Sequence, residues 1–322
     1  MSRKKHILLI VSFIVLPTNI AIASNWKENA KVIDISGGED HTLVLTANKW
    51  AWGCGDNYFY QLGIGNDEDQ KTLVRVLKGD MNSTSDYLEN IDDVDAGWTH
   101  SLALDVKSLV WAWGNNEQGQ LGDAQESSPY YSATPVIVHD GEMNTASGYL
   151  EYIIAISGGR SGRHSLAVDA NGYAYAWGYN KYGQCGNDES NNSKLTPVRV
   201  RRGEQPEDLN DPNNWLKHII DICAGADQSI AVEKDDPSDP NFSGCVYTWG
   251  TNRWGDDPWD VGIVSLGYGL LGSGSDANFS DTPVKVLAGA QHPNDPNQPY
   301  LNHIVAVAAG WDHCIALEKD DS

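Results

Sequence analysis

Four times along this chain a run of alternating apolar residues closes on Trp-Gly: Trp52-Gly53, Trp113-Gly114, Trp177-Gly178 and Trp249-Gly250. Each copy leads into a Gly-Gln-Leu-Gly-like tetrapeptide, and the intervals between successive Trp residues are 61, 64 and 72. A period of this size, built from short strands and Gly turns, specifies a repeated β-sheet unit. The chain therefore folds as an array of similar sheets.

The second copy shows the unit most clearly. An apolar strand ends in Ala96-Gly97, a tight turn Trp98-Thr99 leads to His100, and Ser101 to Leu104 alternates as a second strand. The polar turn Asp105 to Ser108 returns the chain through Leu109 to Trp113, and Gly114 opens a loop through Gly119-Gln120-Leu121-Gly122. Thr134-Pro135-Val136-Ile137-Val138 supplies a fourth strand, with Pro135 near its start, where the missing N–H is tolerated. One unit is thus a four-stranded antiparallel meander.

The same positions return as Gly38 and His41, as Gly158 or Gly159 and His164, as Gly225 and Gln228, and as Gly310 and His313. Thr-Pro-Val recurs at Thr196-Pro197-Val198 and Thr282-Pro283-Val284, with Thr72-Leu73-Val74 in the first copy. Small four-stranded sheets repeated in this way bury their faces by radial packing, which defines an all-β propeller. The Ala-Gly-x-x-His-Ser-Leu-Ala-Leu segment followed by Trp-Gly and Gly-Gln-Leu-Gly resembles the repeats of the regulator of chromosome condensation family, from about Val32 to Leu317. That resemblance implies a propeller whose usual count is seven repeats. This chain supplies four full repeats, approximately 32–78, 91–139, 152–201 and 218–288, and a partial one, 303–322, that stops after its second strand. Two readings stay open: a fragment of a longer array, or an array that remains open.

Residues 1–23 follow another logic. Arg3, Lys4 and Lys5 precede an apolar run from Ile7 to Leu16, Pro17 interrupts it, and Ala21-Ile22-Ala23 matches a small-x-small cleavage site. Those features predict a secretory signal peptide, with 24–322 as the mature, extracytoplasmic chain. Removing it takes away three of 22 basic residues and none of 44 acidic ones, so the mature charge is 19 minus 44, or −25. A field of that sign repels phosphate backbones and excludes nucleic acid as the expected partner. The family's nuclear, chromatin-associated roles therefore do not transfer with the fold.

Cys54, Cys185, Cys223, Cys245 and Cys314 have neither zinc nor redox spacing. Cys223 and Cys245 fall on strands one apart, too distant for a bridge, so free thiols are expected. The repeated His41, His100, His164 and His313 belong to different blades and cannot converge on one metal. Gln228 takes the same place in the fourth repeat, and its amide reproduces imidazole hydrogen bonding without its acid-base chemistry. These positions, with Trp52, Trp113, Trp177 and Trp249, are read as structural, and neither metal nor cofactor is expected.

Function is sought where repeats differ. The residues before each repeat His form one face bearing Glu39, Asp40, Trp98, Arg160, Arg163, Asp227, Trp311 and Asp312. Aromatic and arginine side chains on such turns suit a protein partner, with Trp98, Arg160, Arg163, Trp311 and Asp312 as its site. The alternative is carbohydrate or cell-wall binding through the long loop 254–267, with Trp254 and Trp259. Insertions at 210–214, 235–241 and 293–299 have the oxygen-rich composition of calcium loops but not the spacing, which favours solvated turns. No Gly-x-Ser-x-Gly, His-Glu-x-x-His or nucleotide-binding glycine loop is present, so an enzyme is the third choice.

Overall fold

A computed structural model describes residues 31–125, 128, 130–205, 214–234, 244–252, 269–288, 300–311 and 313–318. The predicted signal peptide, Trp254, Trp259, Asp312 and nearly all of the three oxygen-rich insertions lie outside the described residues.

The described chain is built of strands arranged as successive antiparallel meanders. Blade one contains β1 (Val32–Gly37), β2 (His41–Thr46), β3 (Ala51–Gly55) and β4 (Gln70–Arg75). Blade two contains β5 (Ile91–Ala96), β6 (His100–Asp105), β7 (Val110–Asn115) and β8 (Tyr131–Ile137). Blade three contains β9 (Ile153–Ser157), β10 (His164–Asp169), β11 (Ala174–Gly178) and β12 (Lys194–Arg199). Blade four contains β13 (Ile219–Ala224), β14 (Gln228–Glu233), β15 (Val246–Thr251) and β16 (Phe279–Lys285). A two-stranded half blade follows, β17 (Ile304–Ala309) with β18 (Cys314–Glu318). The fold class is the all-β propeller array of four blades and a half that the repeats predict.

Core side chains lie between blades rather than within one. Leu43 and Leu45 of blade one pack with Ala103, Trp111 and Trp113 of blade two, and Leu102 and Leu104 of blade two pack with Tyr175 and Trp177 of blade three. Because side chains alternate across a strand, each blade offers one apolar face to either neighbour.

A repeated hydrogen-bond clasp fixes that packing. Ser101 Oγ donates to the carbonyl of Gln61 at 2.7 Å, and the indole N–H of Trp113 donates to the same carbonyl at 2.8 Å. Ser165 and Trp177 treat Gln120 alike, and Ser229 and Trp249 treat Gln184 alike. Each Ser in turn meets a ring nitrogen of the preceding blade: His41 Nε2 at 3.0 Å, His100 Nε2 at 3.0 Å and His164 Nε2 at 2.9 Å. The Ser hydroxyl spends its proton on the Gln carbonyl, so each His donates from Nε2, and its buried Nδ1, with no hydrogen-bond partner among the described residues, leaves the ring neutral. Burial agrees, pushing His41 down to about 4 and His100 and His164 down to about 3. In blade four, Gln228 instead donates to the carbonyls of Gly310 and Trp311. His313, in the half blade, is exposed.

Trp52 requires correction. His41 pairs with Gly55 and Thr42 with Cys54, whereas His100 pairs with Gly114 and Ser101 with Trp113. Cys54 therefore holds the repeat Trp position in blade one, and Trp52 corresponds to Trp111, Tyr175 and Tyr247. The indole at this position elsewhere bonds a carbonyl of the preceding blade, and no described residue supplies one to blade one. A displacement of two keeps every side chain on its face, so the sheet tolerates it. Trp52 is half-buried, donates to Thr46 Oγ1 at 3.2 Å and lies beneath the Arg75 guanidinium.

A second inter-blade contact lies at the outer rim. Gly79, Gly141 and Gly203, all at positive φ, sit against Pro135, Pro197 and Pro283 of the following blade. A Cβ at Gly141 would stand 2.0 Å from the Pro197 carbonyl oxygen. Gly141→Ala should destabilise the fold by about 2 kcal/mol or more, since left-handed backbone alone costs Ala about 1 kcal/mol. A urea melt checks this, and an unchanged midpoint would mean that the linker relaxes.

All five cysteines are free thiols. Cys223 accepts the Ala309 N–H at 3.3 Å on the inner ring of strands. Equivalent contacts run from Ala96 to Ser36, from Gly158 to Asp95 and from Ala224 to Ser157.

Candidate functional site

His41 opposes Gly55, His100 Gly114, His164 Gly178 and Gln228 Gly250. The start of each second strand thus lies beside the end of each third strand. Consequently the turn before the His and the loop after the Trp-Gly strand emerge at one end of every blade. Here the repeats vary without disturbing the clasp beneath, whose His, Ser and Trp stand on the second and third strands and whose Gln carbonyl recurs at one place in the loop.

Trp98 and Arg163 meet on this face. The guanidinium carbon of Arg163 lies 4.2 Å from the Trp98 ring centroid, and the Trp98 backbone N–H donates to the Gly162 carbonyl at 3.3 Å, so the two turns join blades two and three. Both side chains are half-buried. A stacked guanidinium keeps its donors in its own plane, available to a carboxylate. Arg163 also acts electrostatically on Glu39 of blade one, whose carboxyl is raised by partial burial, then by Asp40, against the lowering by Arg163.

Tyr179 extends the patch within blade three. Its phenol is pushed up to about 12, mainly by burial and then by Asp227, and its ring meets Tyr182 edge-on at 6.4 Å. Asp227 accepts from the Gln184 amide at 3.1 Å, fixing the turn of blade four to the loop of blade three. Arg160 is exposed on the same blade-three turn that carries Arg163. Trp311 leaves 51% of its surface in solvent while its carbonyl is held by Gln228.

The structure therefore brings Trp98 and Arg163 into contact and puts Arg160 and Trp311 on the same end of the array. Sequence reasoning missed Tyr179, Tyr182 and Tyr58, the last 70% exposed and packed edge-on against Phe59. Their signal was available: all three lie between a third-strand Gly and the repeat Gln. The segment bearing Trp254 and Trp259 departs from the described chain at Asn252 and returns at Gly269, where the Gly269 N–H bonds the Asn252 carbonyl at 3.1 Å. Among the described residues no cluster of His, Cys, Asp and Glu could hold a metal ion, and no helix is long and apolar enough to cross a membrane.

A blade array whose varied turns share one aromatic, charged end defines a β-propeller scaffold of the kind that commonly mediates protein–protein interaction. The chain belongs to the regulator of chromosome condensation (RCC1) repeat family: one description of the repeat matches residues 50–104 and 171–232, and a second matches 32–61, 91–120 and 153–184. It is 27% identical over 288 residues to protein pim1 of Schizosaccharomyces pombe, covering 85% of this chain and 48% of that protein. It is 26% identical over 223 residues to the ultraviolet-B receptor UVR8 of Arabidopsis thaliana, covering 69% and 42%. The chain thus spans less than half the length of these curated relatives. Among solved structures, human WBSCR16 superposes with a TM-score of 0.65 at 20% identity, over 92% of this chain and 60% of that one. Prp20p from Saccharomyces cerevisiae, whose structure was described with its binding to Gsp1p and histones, gives 0.61 at 17%, over 92% and 58%. At those identities the likeness establishes the fold.

Proposed function

We propose that this chain is an extracytoplasmic protein-interaction module that holds a protein partner on the face carrying Trp98, Arg160, Arg163, Trp311 and Asp312. The observation that carries the reading is the Trp98–Arg163 stack, which fixes two side chains of the types that dominate protein interfaces across a blade boundary. Its acidic neighbours Glu39 and Asp40 favour a partner with basic groups around an apolar centre. Secretion rests on residues 1–23. The exclusion of nucleic acid rests on the charge of −22. The fold is an interaction fold rather than a typically catalytic one, and the described residues of the site include no nucleophile–base pair.

Affinity capture with the purified chain from an extracytoplasmic extract tests this, followed by titration of the captured protein. Trp98→Ala with Trp311→Ala should weaken binding by about 30-fold or more, corresponding to about 2 kcal/mol. His100→Ala should act through the melting temperature. Unchanged affinity in that double variant, with loss in Trp254→Ala plus Trp259→Ala and binding to a glycan panel, would transfer the function to the carbohydrate reading.

A further inference from the structure

In every complete blade one residue of the outer strand pairs with an aromatic residue of the third: Arg75 with Trp52, Ile137 with Trp111, Arg199 with Tyr175 and Lys285 with Tyr247. Three of the four are cations, each caged by rings of its own blade and linker. The Arg75 guanidinium lies 3.8, 5.0 and 5.0 Å from the ring centroids of Trp50, Trp52 and Tyr87. Arg199 lies 5.3, 5.7 and 5.9 Å from Tyr173, Tyr175 and Trp215, and Lys285 lies 5.8 and 5.1 Å from Tyr247 and Tyr300. Blade two keeps the cage and lacks the cation. Trp111 and Tyr149 hold the ring positions, since Tyr149 makes the isolated bridge that Tyr87, Trp215 and Tyr300 make elsewhere, and Ile137 stands at the cation's place. Leu109 replaces the larger Trp50 or Tyr173, and these side chains line a cavity of about 620 Å³.

The cavity is acidic as well as aromatic, for Asp80, Glu89 and Asp105 also line it. Asp105 is buried and fixes the Trp111 indole by accepting its N–H at 3.1 Å, as Asp169 accepts the Tyr175 hydroxyl in the blade that holds Arg199. Glu142 and Glu204 follow the rim glycines and accept the backbone N–H of Arg199 and Lys285 at 3.0 and 2.7 Å. Asp80, their counterpart, is one methylene shorter and exposed. Among the described residues none of the three acids forms an ion pair; Lys107, the cation in the lining, is exposed, and no cluster could hold a metal ion. We infer that this cavity receives an arginine side chain of a protein partner, whose guanidinium takes the place that Arg75 and Arg199 fill in their own blades. Stacking on Trp111 and Tyr149 orients it, and the carboxylates attract it. A second copy of the chain, itself at −22, is a poorer source than a basic partner. Blade two is flanked by blades one and three, and the lining segments 80–90, 105–111 and 137–149 are described without a break. The site stands at the Asp105 end of β6, opposite the His100 end and the Trp98–Arg163 face.

Methionine supplies the readout. Met81 lines the cavity, and Met143 holds the equivalent position in the next linker, next to the Glu142 that bonds Arg199 in the filled cage. Nα-acetyl-arginine methylamide is titrated into the purified chain carrying carbon-13 at its methionine methyls, with the neutral citrulline counterpart as control. A saturable shift of the Met81 signal, assigned through Met81→Leu, is expected with the arginine probe and not with citrulline, while Met143 stays in place. Tyr149→Ala should weaken the response about fivefold. Ile137→Arg, which supplies the guanidinium in cis, should abolish it. Equal shifts from the citrulline compound overturn the inference, because an apolar cleft then suffices. Parallel shifts of Met81 and Met143, the mark of diffuse attraction to an acidic chain, overturn it as well, and so does an unmoved Met81. Dimers in sedimentation that Ile137→Arg dissolves would overturn the foreign source and place the arginine on a second copy. The two probes are compared on the unaltered chain, so the result holds even if the variants fail to fold.

Discussion

Trp177→Ala should remove about 4 kcal/mol of stability, enough to unfold much of the chain at 37 °C, whereas Trp52→Ala should cost about 1 kcal/mol. The two residues carry the same local Trp-Gly string, yet Trp177 is completely buried and donates to Gln120, while Trp52 is half-buried on an outer face. Emptying the first site leaves a cavity between two blades and removes one of two donors from a buried carbonyl. Emptying the second frees a ring beneath Arg75 that Trp50 also covers, its centroid 3.8 Å from the guanidinium. Urea melts of both variants, with Trp177→Phe separating the hydrogen bond from the volume, make the comparison. Equal losses would return Trp52 to the repeat position and refute the displacement.

Acid should destabilise the chain through its clasps. For His41, His100 and His164 the folded-state values lie near 4, 3 and 3, below the ordinary 6.5 of an unfolded chain. Protons therefore bind the unfolded form first, so the stability is complete above pH 6.5 and is lost as pH falls toward the folded values. At pH 5 the loss is about 2 kcal/mol for each imidazole, about 6 in all. Glu233 opposes this: burial raises its carboxyl to about 7, so stability withheld at higher pH returns on acidification, about 2 kcal/mol between pH 7.5 and 5. Asp95, raised by burial, acts in the same sense as Glu233. A net fall of a few kcal/mol from pH 7.5 to 5 is expected. His164→Gln, the exchange the chain itself makes at Gln228, should recover about a third of the imidazole loss. An unaltered pH profile in that variant would place the acid sensitivity elsewhere.

The repeat count, the strand order and the face on which variable turns gather were all legible in sequence, because each depends on local patterning: alternation, Gly turns and recurrent His. Partners across interfaces were not. Nothing in Ser101 announces that it joins His41 to the Gln61 carbonyl, since those residues stand 60 and 40 positions away. The displaced Trp52 shows a different failure, in which identical letters outweighed spacing. Trp113 and Trp177 each precede their Gln by seven residues, Cys54 precedes Gln61 by seven, and Trp52 precedes it by nine. Counting from the tetrapeptide instead of the Trp would have found it. The stack of Arg163 on Trp98 escaped because the third repeat carries extra residues between Gly158 and His164, and only the folded turn fixes where that guanidinium goes.

Every clasp takes its His and its carbonyl from one blade and its Ser and indole from the next. The set is split across the boundary, so it has no preferred starting point in the gene. A tandem duplication one repeat long recreates a whole clasp wherever its breakpoints fall, and a deletion of the same length heals the joint it makes. Arrays of this kind can lengthen or shorten through copying errors that would ruin a protein whose contacts close within each module.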